Sequence, residues 1–166
     1  MSGFKKAILL VAGLSLAACS NTRWDDTNLG NTGGAGSLGT NLDPASPAYF
    51  QETVGDRVLF VIDESTINPG AATILQGQAR WLTANPDYTV TIEGHADEQG
   101  TREYNLALGA RRANSAREYL ISQGIAGSRI QVVSYGKERP LEICSAESCY
   151  AANRRAVTVL AGGLTG

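Results

Sequence analysis

Apolar and polar positions alternate most clearly over Tyr88-Thr89-Val90-Thr91-Ile92-Glu93, and a period of two predicts a strand with one buried face. The alternation returns in Ile130-Gln131-Val132-Val133-Ser134-Tyr135, and Ala156-Val157-Thr158-Val159-Leu160 supplies another short strand. Arg57-Val58-Leu59-Phe60-Val61-Ile62 is instead a largely apolar run, which predicts a strand covered on both faces. Between these segments the period becomes helical. Ile74, Leu75, Ala79, Trp81 and Leu82 follow the start signal Asn68-Pro69 and stop before Asn85-Pro86, so a helix is expected there with Trp81 in the core. A longer helix runs from about 102 to 123 and closes at Gly124. On it Leu106, Gly109, Ala113, Ala116 and Leu120 share one arc, expected to face the core, with Arg111 opposite and Arg112 and Asn105 on the border of the stripe. The order β-α-β-α-β-β predicts a mixed α/β (α+β) fold, two helices packed on a mixed four-stranded sheet, with parallel crossovers and the last two strands paired antiparallel.

The chain before residue 48 is patterned differently. Residues 1–18 carry Lys5 and Lys6, an apolar run from Ala7 to Leu16, then small residues. That is the layout of a secretory signal peptide, too short to span a bilayer stably. The junction Leu16-Ala17-Ala18-Cys19-Ser20 resembles the lipobox of bacterial lipoproteins, which implies cleavage before Cys19, acylation of Cys19, and, with Ser20 following, delivery to the outer membrane. Several acyl chains anchor durably, since each buried methylene adds about 0.8 kcal/mol. From 19 to 47 no periodicity is present and Gly30, Gly33, Gly34, Gly36 and Gly39 are mixed with Asn, Thr and Ser, the composition of a tether. About 27 such residues have a typical span near 30 Å as a flexible coil and stretch to roughly 90 Å. The remaining 48–166 form one domain.

Charge narrows the partners. The chain holds 14 Lys and Arg against 16 Asp and Glu, and removing Lys5 and Lys6 leaves 12 against 16, a net charge of −4. An acidic chain without a basic block argues against nucleic acid. Of three cysteines one is Cys19, and Cys144 and Cys149 remain in a chain bound for an oxidising compartment, where a disulfide closing a short loop is expected. A metal site is not implied: the single His95 lies far from both cysteines in sequence. The same lone histidine, with no Ser or Cys nucleophile beside it, argues against a hydrolase built on His95 and Asp97, and no cofactor is implied.

Polar groups gather where strand, loop and second helix meet: Gly94, His95, Ala96, Asp97, Asn105 and Arg112. Gly94-His95-Ala96-Asp97, Tyr104-Asn105-Leu106, Leu108-Gly109 with Arg111-Arg112-Ala113, Val133-Ser134-Tyr135-Gly136-Lys137, Pro140 and Asn153-Arg154-Arg155-Ala156 resemble the OmpA-like peptidoglycan-binding domain family. The resemblance implies a non-catalytic module whose ligand is the stem peptide of peptidoglycan, gripped at meso-diaminopimelate. It places the anion of the site at Asp97 and the cation at Arg112, with Asn105 orienting either group. Asp63 matches the aspartate of the family's Phe-Asp pair, although Ile62 replaces the aromatic. The loop after Gly94, with His95 and Ala96, completes the cradle. A zwitterionic tip needs one acid and one base at fixed separation, and a guanidinium fork matches a carboxylate with two parallel bonds. Truncating Asp97 or Arg112 is therefore expected to abolish wall binding while the fold survives. Because Arg112 lies about ten residues into its helix, roughly 15 Å along it, the Asp97 loop is expected to fold back along the helix. Asn153-Arg154-Arg155 could steer anionic groups or merely pack the loop before the last strand. The resemblance further implies partners in the Tol system, TolB among them, and either wall attachment or TolB docking as the principal role, in a lipoprotein anchored in the outer membrane through Cys19 and facing the periplasm.

Overall fold

The computed structural model describes residues 42–162, so Cys19 and the signal and tether segments before 42 lie outside the described residues. After a helical turn α1 at Pro47–Tyr49, continued by a wider turn over Phe50–Gly55, the elements are β1 (Arg57–Leu59), α2 (Pro69–Ala84), β2 (Tyr88–His95), α3 (Arg102–Ser122), β3 (Ile130–Gly136), α4 (Glu147–Asn153) and β4 (Arg155–Gly162). Among the described residues no helix is long and apolar enough to cross a membrane. The start signal of α2 works as read: Asn68 Oδ1 accepts from the Ala71 amide at 2.9 Å with Pro69 in the first turn. Thr101 caps α3 in the same way through the Tyr104 amide, and Gly124, at φ 98°, follows its end.

The sheet order is β1-β4-β2-β3. β2 and β3 pair in parallel from Val90 opposite Ile130, while β4 runs antiparallel to both β1 and β2, with Ile92 opposite Thr158 and Val58 opposite Ala156. The expected pairing of the last two strands is thus corrected: β4 is antiparallel, but it inserts between β1 and β2 and never touches β3. A hairpin would have needed a short link, whereas the chain from 137 to 154 carries α4 and crosses to the other side of β2. β1 is also shorter than expected. Phe60 still donates its amide to the Arg154 carbonyl, but Val61 and Ile62 leave the sheet and are about half exposed, so this apolar run is not a strand covered on both faces.

Leu75, Leu82, Val90, Ile92, Ala113, Ala116 and Leu120 make the core between helices and sheet. Trp81 joins it, its ring 4.9 Å from Phe50 and 5.0 Å from Tyr88. Its indole nitrogen donates to the Pro44 carbonyl at 2.7 Å, and the Tyr88 hydroxyl donates to Ala45. Residues 43–47, given to the tether on composition, are therefore held against the domain. The stripe of α3 is turned from the arc expected: Asn105, Leu108, Gly109, Arg112, Ala113, Ala116 and Leu120 are buried, and Leu106 is 48% exposed. Small residues set this phase. A Cβ on Gly94 would fall inside the Gly109 carbonyl and one on Gly109 would strike the Gly94 carbonyl and Ser134 Oγ, so β2 and the middle of α3 touch backbone to backbone there.

Candidate functional site

β2 ends beside the middle of α3 because the helix runs back along the strand it follows. The expected folding back of the loop is therefore supplied by the helix. The chain turns at Gly100, φ 89°, and the loop is tied down from three sides. Asn105 Nδ2 donates to the Gln99 carbonyl at 2.7 Å, Lys137 Nζ donates to the carbonyls of Gly100 at 2.7 Å and Glu98 at 3.3 Å, and the Gln99 amide donates to Asp97 Oδ1 at 3.2 Å. Such ties fix the Asp97 carboxylate on an otherwise short, polar loop.

Arg112 is not on the border of the buried stripe but at its centre, with no exposed surface. Its guanidinium donates to three carbonyls, Glu64 through Nε at 2.8 Å, His95 at 2.9 Å and Val61 at 3.0 Å, and lies 5.3 Å from the Phe60 ring centre. Burial lowers its pKa to about 10, with the charges of Asp97 and Asp63 opposing the fall and Arg154 adding to it. Arg112 and Asp97 thus feel one another's field without a direct ion pair, and the arginine is a bolt joining the 61–64 segment to the end of β2. Truncating Arg112 would take a charged donor from three carbonyls, so a loss of stability is expected beside any loss of binding.

Asp97 is instead paired with Arg154, Nη1 to Oδ2 at 3.2 Å, in a site where both side chains are nearly buried. Arg154 also donates to the Phe60 carbonyl and to Glu147 on α4. Burial works against its charge, yet the hydrogen bonds it donates to Glu147 and Asp97, with the charges of those carboxylates, outweigh it and raise its pKa. Of the two readings of Asn153-Arg154-Arg155, packing accounts for Asn153, which bonds the loop at Leu141 and Glu142, and for Arg155, which donates to Arg139 and Asn153 carbonyls. Arg154 belongs to the site. Asp63 sits nearby in the left-handed region, φ 54°, and accepts from the Tyr104 hydroxyl at 3.2 Å. The sequence reading left Arg154 open between steering and packing and quoted Tyr104 only within its motif, whereas the contribution of Glu147 was not anticipated.

Three predicted members of the cradle lie beneath the surface. Gly94 is the close contact with Gly109. Ala96 is buried and donates its amide to Gly136 at 2.8 Å. His95 is 1% exposed, lies 5.6 Å from the Tyr135 ring, and neither ring nitrogen has a hydrogen-bond partner. Burial, with Arg155 and Arg139 nearby, lowers its pKa to about 4, so it is a neutral spacer whose working atom is the carbonyl held by Arg112. Cys144 and Cys149 are bonded to one another, with Cα atoms 5.9 Å apart. Among the described residues no three His, Cys, Asp or Glu are grouped as a metal site.

Asp97 and Arg112 on the β2-loop-α3 corner, with Asp63 after β1 and Arg154 between α4 and β4, gather two acids and two bases over a mixed sheet. Residues 59–155 match the OmpA family, and the chain belongs to it. It is similar to the peptidoglycan-associated lipoproteins of Agrobacterium fabrum, 49% identical over 157 residues that cover 93% of this chain and 86% of that protein, and of Brucella melitensis, 48% identical over 159 residues covering 94% and 91%. Among solved structures, the peptidoglycan-associated lipoprotein from Burkholderia pseudomallei matches with a TM-score of 0.66 at 34% identity, over 72% of this chain and all of that one. The C-terminal domain of Helicobacter pylori MotB shares the fold alone, at a TM-score of 0.60 and 19% identity over 64% of this chain and 84% of that one.

Proposed function

We propose that this chain is a non-catalytic outer-membrane lipoprotein that binds the stem peptide of peptidoglycan at meso-diaminopimelate and so ties the membrane to the wall. The observation that carries the reading is the Asp97 carboxylate, fixed on a braced loop, with a buried arginine charge behind it. The ligand's ammonium seats on Asp97. Its carboxylate faces Arg112, which has five N–H donors and uses three on the carbonyls of Val61, Glu64 and His95. Two remain, and a shift of the exposed 61–64 segment uncovers them. Asn105 acts through the loop, by holding Gln99, and Asp63 with Tyr104 forms the rim. Lipid at Cys19 and the tether place this domain in the periplasm within reach of the wall.

Sacculus pull-down tests the reading. Asp97→Asn keeps the loop acceptor and leaves Arg154 paired with Glu147, so its melting curve is expected to stay near that of the parent while retention on sacculi is lost. Retention equal to the parent's would defeat the assignment. A second role, docking TolB of the Tol system, is favoured by a specific feature: Val61, Ile62 and Tyr104 are 43–53% exposed and apolar around Asp63. A soluble stem peptide is then expected to compete with TolB, and independent binding of the two would remove the shared surface.

A further inference from the structure

Helix α4 has seven residues, fewer than a helix needs to be stable by itself in water. It starts from Ala146, which has no side chain to cap the first amides. A covalent link closes this first turn instead: Cys144 precedes Ala146 by two residues, Cys149 follows it by three, and their sulfurs are bonded. Two side chains of α4 then connect to the loop that carries Asp97, one directly and one through Arg154. Glu147 accepts from Arg154 Nη2, and the Tyr150 hydroxyl donates to Glu98, the neighbour of Asp97, at 2.9 Å. The other arm of Arg154 holds Asp97. One guanidinium is shared between an acid of the site and an acid of the helix.

We propose that Glu147 and Tyr150 are positioning residues for the Asp97 carboxylate, and that the Cys144–Cys149 bridge, by holding α4 together, sets how much negative charge Asp97 presents to a cationic ligand group. This role rests on Asp97 being the ammonium acceptor proposed above. With the bridge closed, Arg154 is one cation between two anions, and an arriving ammonium meets a net negative cluster. When a dithiol reductant opens the bridge, itself becoming a disulfide and leaving Cys144 and Cys149 as thiols, α4 loses the covalent link across its first turn and that end frays, carrying Glu147 away from Arg154. The cluster becomes a neutral pair, Arg154 gives its whole fork to Asp97, and the ammonium must compete with a guanidinium for the same oxygens. Tyr150 leaves with the helix and frees Glu98, which loosens the loop. The wall-binding site is in this way coupled to the redox state of a bond that contacts no ligand.

The test uses the full chain in detergent micelles, titrated with a soluble stem peptide containing meso-diaminopimelate and with the same peptide acetylated on that residue's side-chain amine. The forms compared are the oxidised protein, the protein reduced with dithiothreitol, the Cys144→Ser/Cys149→Ser double variant, Glu147→Gln and Tyr150→Phe. Reduction, the double serine variant and Glu147→Gln are each expected to weaken the free-amine peptide about three- to fivefold, the range of a partly exposed ion pair, and to leave the acetylated peptide unchanged. Tyr150→Phe is expected to weaken it less, in the same direction. Reducing Glu147→Gln is expected to add nothing, because the same carboxylate is lost either way. Equal weakening of both peptides would mean a merely structural brace and would overturn the proposal, as would free-amine affinity indifferent to reduction and to Glu147. If the oxidised parent itself ignored acetylation, Asp97 would not be the ammonium acceptor, and the inference would fall together with that reading.

Discussion

Replacing Arg112 with Ala removes the donor that three carbonyls share. The His95 carbonyl is the costly one, because its residue is sealed from solvent; a buried acceptor stripped of a charged donor loses about 1.5 to 3 kcal/mol. Val61 and Glu64 lie on an exposed segment where water can replace the guanidinium, so their bonds contribute nearer 0.5 kcal/mol each. Loss of the buried stem and of the contact with Phe60 adds about 1 to 2 kcal/mol. Relief of a buried charge whose pKa has been pulled down to about 10 offsets part of this. The balance is a destabilisation of about 3 kcal/mol, and at 4–8 °C per kcal/mol for a domain near this size the melting point falls by roughly 12–24 °C. Urea unfolding followed by circular dichroism, with an unchanged slope, reads the same quantity. Arg112→Lys keeps the charge but not the fork, and is expected to lose about half as much. A midpoint within about 2 °C of the parent for Arg112→Ala would refute the bolt.

Other outcomes follow from the same geometry. His95 holds a pKa of about 4 when folded against 6.5 as its ordinary value, so the unfolded chain takes up the proton first. Stability present above pH 6.5 is lost as pH falls towards 4, by about 3 kcal/mol, and His95→Phe, which leaves no ring nitrogen to protonate, is expected to flatten that limb in urea titrations run across the range. Gly94→Ala and Gly109→Ala each put a methyl into facing backbone and are expected to destabilise by about 2 kcal/mol or more, read as a lower urea midpoint; a neutral result for either would mean that strand and helix are not in contact there. Leu106→Gln, on a side chain 48% exposed, is expected to change stability by less than about 0.5 kcal/mol, where a core position would lose several times that.

Elements with a strong period were legible from the sequence. α2 begins at its Asn-Pro signal and α3 ends before its glycine because those residues satisfy helix ends locally, and β2 alternates because one face is buried. Strand order was not legible: nothing in the alternation of β4 tells whether it borders β3 or slips between β1 and β2, since that depends on where the α4 segment crosses. The phase of α3 was legible only in part: Gly109, Ala113, Ala116 and Leu120 are buried as expected, but Leu106 is not and Arg112 is. Leu106 is more apolar than Gly109, but close backbone contact with Gly94 turns the small residues inward and carries Arg112 with them, and an arginine tolerates that position only because three carbonyls from distant segments converge on it. Asp97 was identified by its loop and family motif, whereas its partner Arg154 lies 57 residues further on, with Glu147 behind it on a helix too short to show a period.

The central claim is that Asp97 and the arginine charge behind it hold a zwitterionic amino-acid tip. Its most direct measurement is calorimetric titration of the oxidised chain and of Asp97→Asn with two soluble stem peptides, one ending its side chain in meso-diaminopimelate and the other carrying lysine, which lacks the second carboxylate. The account predicts binding of the first peptide by the parent, at least tenfold weaker binding of the lysine peptide, and no measurable binding of either by Asp97→Asn. Equal affinity of the parent for both peptides, or undiminished binding by the variant, would contradict it.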